Sequence, residues 1–418
     1  MENGRKSTRR QWIATVAGVA GVMTGCVGSD RQVESTTVVD DDSSAETTTP
    51  SDQPTTAATN SVPATGSWPM DGVNPANSGS TANWNGPADG ITKGWDHSFR
   101  GNIYEPIVAD GVVFLGVEAS EGRATPTALD ARTGEKLWSV EQPKPYGSPT
   151  YHDGMFYVGS YGGLMAIEAD TGEVSWKFDT TAVRMVPHDG VMYVSGSEFG
   201  AIDLESQEFR WTAGYETTGE IGTFGGLLLA SDDTLLVPGD NAIGAFDAAT
   251  GEAQWIRDHG DNVSPEMAVA GDVAYLLTTS DAGTSAIEAY RWGADETLWT
   301  YEDAQLSSTM SVANGRVYAS RAESPGLLAL DAETGEQLPG FSTDVGPISG
   351  RPSVAGDTVY GWAPASDING TLSAIDGTTG EIRWTYTGES GFPPQILEDT
   401  LYYMEDWNAD RIVALTSP

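Results

Sequence analysis

The feature that most constrains this chain is a phrase it repeats, Ala-x-Asp-x-x-Thr-Gly-Glu-x-x-Trp. Near-complete copies stand at 128–138, 166–176, 245–255 and 374–384, with degraded copies at 201–211, 289–299 and 329–339. The seven copies lie about 35 to 45 residues apart, and Trp95 stands alone ahead of the first. A recurring interval of that size marks one supersecondary unit stacked many times.

A second phrase falls between the copies. Eight two-residue turns, among them Asp110-Gly111, Asp153-Gly154, Asn314-Gly315 and Glu398-Asp399, are each followed three residues later by a large apolar residue, most often Tyr. Asp-Gly and Asn-Gly between apolar runs signal a tight hairpin. In the Asp-x-x-Thr-Gly phrase the Asp bonds backbone N–H groups further on and the Gly takes a left-handed conformation, making another hairpin. Asp130, Asp170, Asp203, Asp247, Asp331 and Asp376 are read as these turn-capping residues. Each unit then has four strands, A to D, with the Tyr on B, Ala-x-Asp on C and the Trp on D.

Four-stranded units at this period predict an all-β fold, an eight-bladed β-propeller. The eighth unit ends at IVALTSP (412–418) without a Trp strand, while GWDHSF (94–99) is a D strand without its own A, B and C. The N-terminal strand is therefore expected to complete the last blade and close the ring. Leu338-Pro339-Gly340-Phe341 replaces the Trp in the sixth blade, with Phe341 as a partial substitute.

The chain carries 21 basic and 60 acidic residues, a formal charge of −39, and only five of the basic residues are Lys. Such a surface repels nucleic acid and anionic membranes. At molar salt the Debye length falls to about 3 Å and self-repulsion is screened, so the composition fits a halophile's protein. Residues 1–25 read as an export address: Arg9 and Arg10 in TRRQWI resemble a twin-arginine signal, and Met23-Thr24-Gly25-Cys26 resembles a lipobox. Cys26, the only cysteine, is the expected lipid attachment site. Residues 26–66, rich in Ser, Thr, Asp and Pro, read as a disordered stalk. Residues 67–418 are the expected propeller, held as a monomer on the outer face of the cell membrane. Asn262-Val263-Ser264 and Asn369-Gly370-Thr371 are glycosylation sequons.

The repeated phrase resembles the tryptophan docking motif of pyrroloquinoline quinone (PQQ) propellers, the eight-bladed repeats of quinoprotein alcohol dehydrogenases. The run SWPMDGVNPANSG (67–79) is similar to the lead-in of PQQ-like propeller lipoproteins, a group that includes one in the outer-membrane β-barrel assembly machinery. A role there needs an outer membrane, which a halophilic archaeon lacks. The resemblance implies that Trp95, Trp138, Trp176, Trp211, Trp255, Trp299 and Trp384 are inter-blade packing residues and not cofactor contacts.

Two functions follow, and they differ in class. A PQQ-dependent dehydrogenase would need the quinone, a Ca²⁺ held by oxygen ligands and a carboxylate base. The family's dehydrogenases add a vicinal disulfide, which one cysteine cannot form, and the four His (His97, His152, His188, His259) lack ligand spacing. The favoured reading is therefore a non-catalytic binding or scaffold module with no cofactor, the dehydrogenase standing as the alternative. The A–B and C–D turns are short and uniform, so that face is expected to be featureless. The B–C loops at 117–126, 277–288, 362–371 and 404–411 are long and sit on the opposite face, where an unidentified protein or peptide partner is expected. Trp362, Trp407 and Arg411 are candidate contacts there. Counting five residues back from each A–B turn gives Glu105, Ser148, Arg184, Leu227, Glu266, Thr309, Arg351 and Pro393. Arg184 and Arg351 lie four blades apart and should face each other across the channel mouth, beside Glu105 as a third candidate. They are read either as a clamp on a partner's carboxylate or as ion-paired to acids of neighbouring blades.

Overall fold

A computed structural model describes residues 67–68, 74, 78–81 and 84–418, the last with gaps at 105, 119–122, 141, 144–148, 161–162, 181, 197–198, 214–225, 232, 240, 281, 295, 365–368, 390, 392 and 406–409. All of them fall in one compact unit, Ser51–Pro418. Arg9, Arg10, Cys26 and the stalk lie outside the described residues, as do Glu105 and Trp407.

The described residues form eight antiparallel meanders and no helix. The A strands are Ile107–Ala109, Thr150–His152, Ala182–His188, Leu228–Ser231, the split pair Asn262–Val263 and Ala268–Ala270, Leu306–Ala313, Ser349–Ala355 and Gln395–Leu397. The A strands of most neighbouring blades touch, including blade 8 against blade 1, and so line the axis. The D strands of blades 1, 2 and 4 alternate between exposed and half-buried residues, as an outer rim should, whereas Thr92–Ser98 is largely buried. The hairpin chemistry holds in detail. Asp110, Asp153, Asp189 and Asn314 each have positive φ, as does the Gly that follows, which is the type I′ signature. At Gly271-Asp272, Gly356-Asp357 and Glu398-Asp399 only the first residue does.

The repeated phrase is an inter-blade joint. Trp95, Trp138, Trp211 and Trp299 each donate Nε1–H to a carbonyl of the next blade, at Ala131 (2.9 Å), Ala169 (2.8 Å), Ala248 (3.0 Å) and Ala332 (3.0 Å). The indole lies flat on the next blade's Thr-Gly turn: a Cβ built on Gly172, at φ +73°, would stand 2.6 Å from Trp138. Only glycine combines that conformation with that approach. Tyr402 and Tyr275 on B strands donate to the same carbonyls, Ala131 O at 3.1 Å and Ala332 O at 3.2 Å, so both lone pairs are used. Asp130 caps the turn by accepting from Arg132 N, Thr133 N and Thr133 Oγ1 at 2.8–3.0 Å, and Asp247, Asp331 and Asp376 do likewise for the backbone. In blade 2 the position belongs to Glu168, which accepts from Thr171 Oγ1 at 3.0 Å, and not to Asp170, two residues further on.

Trp95 is fully buried, whereas the other six motif tryptophans keep part of a face in solvent. They are rim residues packed on core clusters. Blade 6 has three strands, with an isolated bridge from Leu330 to Gln337 where a D strand would start. Proline and glycine at 339–340 cannot continue a ladder, and Leu338 and Phe341 cover the blade's core instead.

The ring closes as the sequence predicts. Strand Thr92–Ser98 pairs antiparallel with Arg411–Thr416, Trp95 opposite Ala414. The segment ahead of it does more. Ser67–Trp68 pairs with the A strand of blade 1, and Ser80–Thr81 runs parallel to that of blade 7. Asn85 and Pro87 then offer the carbonyls that Tyr360 OH and Trp384 Nε1 reach, at 3.2 and 2.6 Å. Residues 85–87 thus stand in for the C–D turn that blade 8 lacks.

Candidate functional site

The A strands bring Arg184 and Arg351 to the loop-face mouth of the channel, where they share one acid. Glu266 of blade 5 accepts from Arg184 Nη2 through Oε1 at 2.5 Å and from Arg351 Nη2 through Oε2. Blades 3, 5 and 7 are thus tied through a single carboxylate, two blades from each arginine. The side chains are 21, 23 and 11 % exposed for Arg184, Glu266 and Arg351, so the bridge is shielded but reachable. Glu266 gets there because strand A of blade 5 breaks. Ser264 N–H still donates to Leu277 O at 2.8 Å, but residues 265–267 leave the ladder before it resumes at Ala268–Ala270, and Pro265 could not donate to it in any case. Ser264 Oγ accepts the Glu266 N–H at 3.2 Å, holding the excursion in a local turn. On the A strand of blade 6, between the blades carrying Glu266 and Arg351, Ser307 Oγ and Thr309 Oγ1 are buried atoms without a hydrogen-bond partner.

The variable-loop candidates separate. Strand B of blade 7 runs Thr358–Pro364, longer than expected, and carries Trp362 into the core, 1 % exposed and 6.0 Å from the Tyr403 ring. Trp362 is a packing residue and not a loop contact: the apolar run continued the strand past the point where the turn residues suggested a loop. Arg411 opens strand C of blade 8 and is bound to Glu405 at 3.1 Å, with Glu389 at 3.9 Å. Glu405 is buried and also accepts from Tyr403 OH at 2.9 Å. Burial, reinforced by the Glu405 charge, drives the Tyr403 hydroxyl far above its ordinary range, so it stays a donor.

Two features escaped the sequence reading. His259 Nε2 meets Glu288 Oε2 at 3.2 Å across the seam between blades 4 and 5, both side chains mostly buried. That hydrogen bond, outweighing desolvation, holds the Glu288 carboxyl below its usual value. Equivalent positions in blades 2, 6 and 8 carry apolar Met165, Leu328 and Val413, so a charge there was the available signal. The turn face, expected to be featureless, holds an open recess of about 910 Å³ at the terminal seam, lined by Trp84, Asn85, Asp89, Asp357, Glu398 and Asp399 among others. Among the described residues, no group of three or more His, Cys, Asp or Glu is placed to hold a metal ion.

This geometry defines the class: a closed, tryptophan-docked, eight-bladed propeller of the PQQ-like kind. The sequence profile described as outer membrane protein assembly factor BamB matches residues 121–386, well over half the chain, and the chain belongs to that family. An outer membrane protein assembly factor BamB from Burkholderia pseudomallei is 27 % identical over 39 % of this chain and 47 % of its own length. A quinoprotein ethanol dehydrogenase from Pseudomonas aeruginosa is 30 % identical over 27 % of this chain and 22 % of its own. The chain thus spans less than half the length of each of these two relatives. The crystal structure of BamB from Moraxella catarrhalis superposes with a TM-score of 0.56 at 16 % identity, covering 78 % of this chain and 98 % of that one, which shows the fold.

Proposed function

We propose that this chain is a non-catalytic scaffold that binds a protein partner on its loop face and is held at the outer face of the cell membrane by a lipid on Cys26. The observation that carries this reading is the Arg184–Glu266–Arg351 bridge, which spans the mouth through which a channel ligand would enter. A Ca²⁺-bound quinone needs a convergent set of oxygen ligands, and among the described residues no three or more His, Cys, Asp or Glu converge. Both assembly factors and quinoprotein dehydrogenases are among the relatives, so a direct test is needed. Purified protein titrated with PQQ and Ca²⁺ is expected to show neither saturable binding nor alcohol-dependent dye reduction. Turnover with any alcohol would sink the scaffold reading. Capture from salt-adapted membranes, repeated with loop-face variants such as Arg184→Gln, is expected to retain one specific protein that the variants lose.

A further inference from the structure

The parts of the bridge at the mouth are held differently. Arg184 and Arg351 sit on the A strands of blades 3 and 7, Arg184 paired with Ser195 beside a bulge and Arg351 in the register break between Ser349 and Ser353. Glu266 rides on residues 265–267, outside the ladder, with its N–H on Ser264 Oγ, while Ser264 N–H still donates to Leu277 O of strand B at 2.8 Å. The carboxylate meets each guanidinium through a single Nη2 contact, whereas an Arg–carboxylate pair at its strongest is bidentate. On the A strand of the intervening blade, Ser307 and Thr309 carry buried hydroxyl oxygens without a hydrogen-bond partner. An occupant with more than one carboxylate could meet both arginines at once.

We propose that Glu266 is a built-in occupant of the Arg184–Arg351 clamp, and that an acidic segment of a partner enters the mouth by displacing it. This rests on the loop face being the partner surface. It adds that the surface is self-blocked: the chain's own carboxylate sets a threshold that an incoming single charge does not cross and a cluster of charges does. In a chain of net charge −39 such a threshold also excludes the protein's own acidic surfaces from the site.

The test uses the full chain in high salt, with a hexaglutamate peptide and, separately, succinate as probes. Wild-type protein is expected to bind the peptide weakly. Glu266→Gln should tighten it at least tenfold, and Arg351→Gln added to that variant should return it to the wild-type level. Glu333→Gln, which removes one charge from an exposed turn, should leave binding unchanged. Glu266→Asp, which keeps the charge but shortens the reach, should fall between wild type and Glu266→Gln, and carries the test if Glu266→Gln misfolds. No gain in folded Glu266→Gln, or a gain that survives loss of Arg351, overturns the proposal. Succinate binding as tightly as the peptide would overturn the partner-segment assignment in favour of a free small carboxylate. The loop-face reading fails separately: if a captured partner ignores Arg184 and Arg351 while the peptide still responds to Glu266→Gln, the self-blocked clamp stands and the docking surface lies elsewhere.

Discussion

Trp95→Ala should open the ring at one seam, and the structure gives the size of the effect. Trp95 is fully buried, donates to Ala131 at 2.9 Å and lies on the strand that pairs with Arg411–Thr416. Removing a buried large aromatic costs about 3–5 kcal/mol. The Ala131 carbonyl still receives Tyr402 OH, so no orphaned acceptor adds to that. Trp138 makes the equivalent bond to Ala169 but keeps a face in solvent, and Trp138→Ala should cost roughly 2 kcal/mol on the same reasoning. The difference of about 2 kcal/mol is roughly 30-fold in a local opening constant. Blades contact mainly their neighbours, so global melting would blur the comparison. Amide hydrogen exchange by mass spectrometry resolves it. Peptides covering 92–98 and 411–416 should accelerate together in Trp95→Ala, by about 30-fold more over their wild-type rates than peptides beside residue 138 do in Trp138→Ala. Uniform acceleration in all blades, or uncoupled exchange of 92–98 and 411–416, would refute the view that closure is a local joint.

Gly172→Ala should cost at least 2–3 kcal/mol by denaturation, since the left-handed conformation and the clash with Trp138 add, whereas Gly154→Ala, with nothing within 4 Å, should cost only about 1 kcal/mol. The turn carboxylates set the acid limb. Backbone N–H donation from Ser206, with Arg210, lowers Asp203 to about 2, Thr334 N–H lowers Asp331, and Arg383 lowers Asp376. Depressed carboxyls contribute stability that is complete above the unfolded value near 3.9 and lost as pH falls through the folded values. Denaturation midpoints should therefore hold from pH 7 to 5 on account of these groups and drop between about pH 4 and 2, with Asp331→Asn and Asp376→Asn flattening that drop. Cys26→Ser should move the protein from the membrane fraction to the soluble fraction of cells, as read by fractionation at high salt.

The blade count, the closing strand and the docking tryptophans were legible because each rests on a repeated phrase whose copies check one another. What the sequence could not show lies where one blade departs from the rest. Trp362 looked like a loop residue because Pro364, Asp367 and Gly370 carry turn chemistry, yet the strand runs through to Pro364 and Gly370 exists to admit the indole, 2.5 Å from where a Cβ would stand. Asp170 lies two residues past the Asp column of the phrase, which Glu168 fills in this copy, and the Thr171 hydroxyl bond confirms Glu168 in the role. The opposed arginines were legible from ring arithmetic alone. Their shared partner was in the same aligned column, but its reach depends on a strand break that Pro265 hints at and sequence spacing cannot measure.

The stand-in turn at 85–87 implies that the ring does not require its closing strand to precede the other blades. A methyl added at Gly90 would lie 3.5 Å from Pro418, so the end of the last repeat already abuts the start of the closing strand. Joining Pro418 to Ile91 through a few residues would rebuild an ordinary C–D hairpin in blade 8, and new ends could be cut at the exposed turn around Thr378 in blade 7. Such a circularly permuted chain should fold to the same ring without residues 67–87. The carbonyls at 85 and 87 then supply from the lead-in what a permuted blade 8 would draw from its own hairpin.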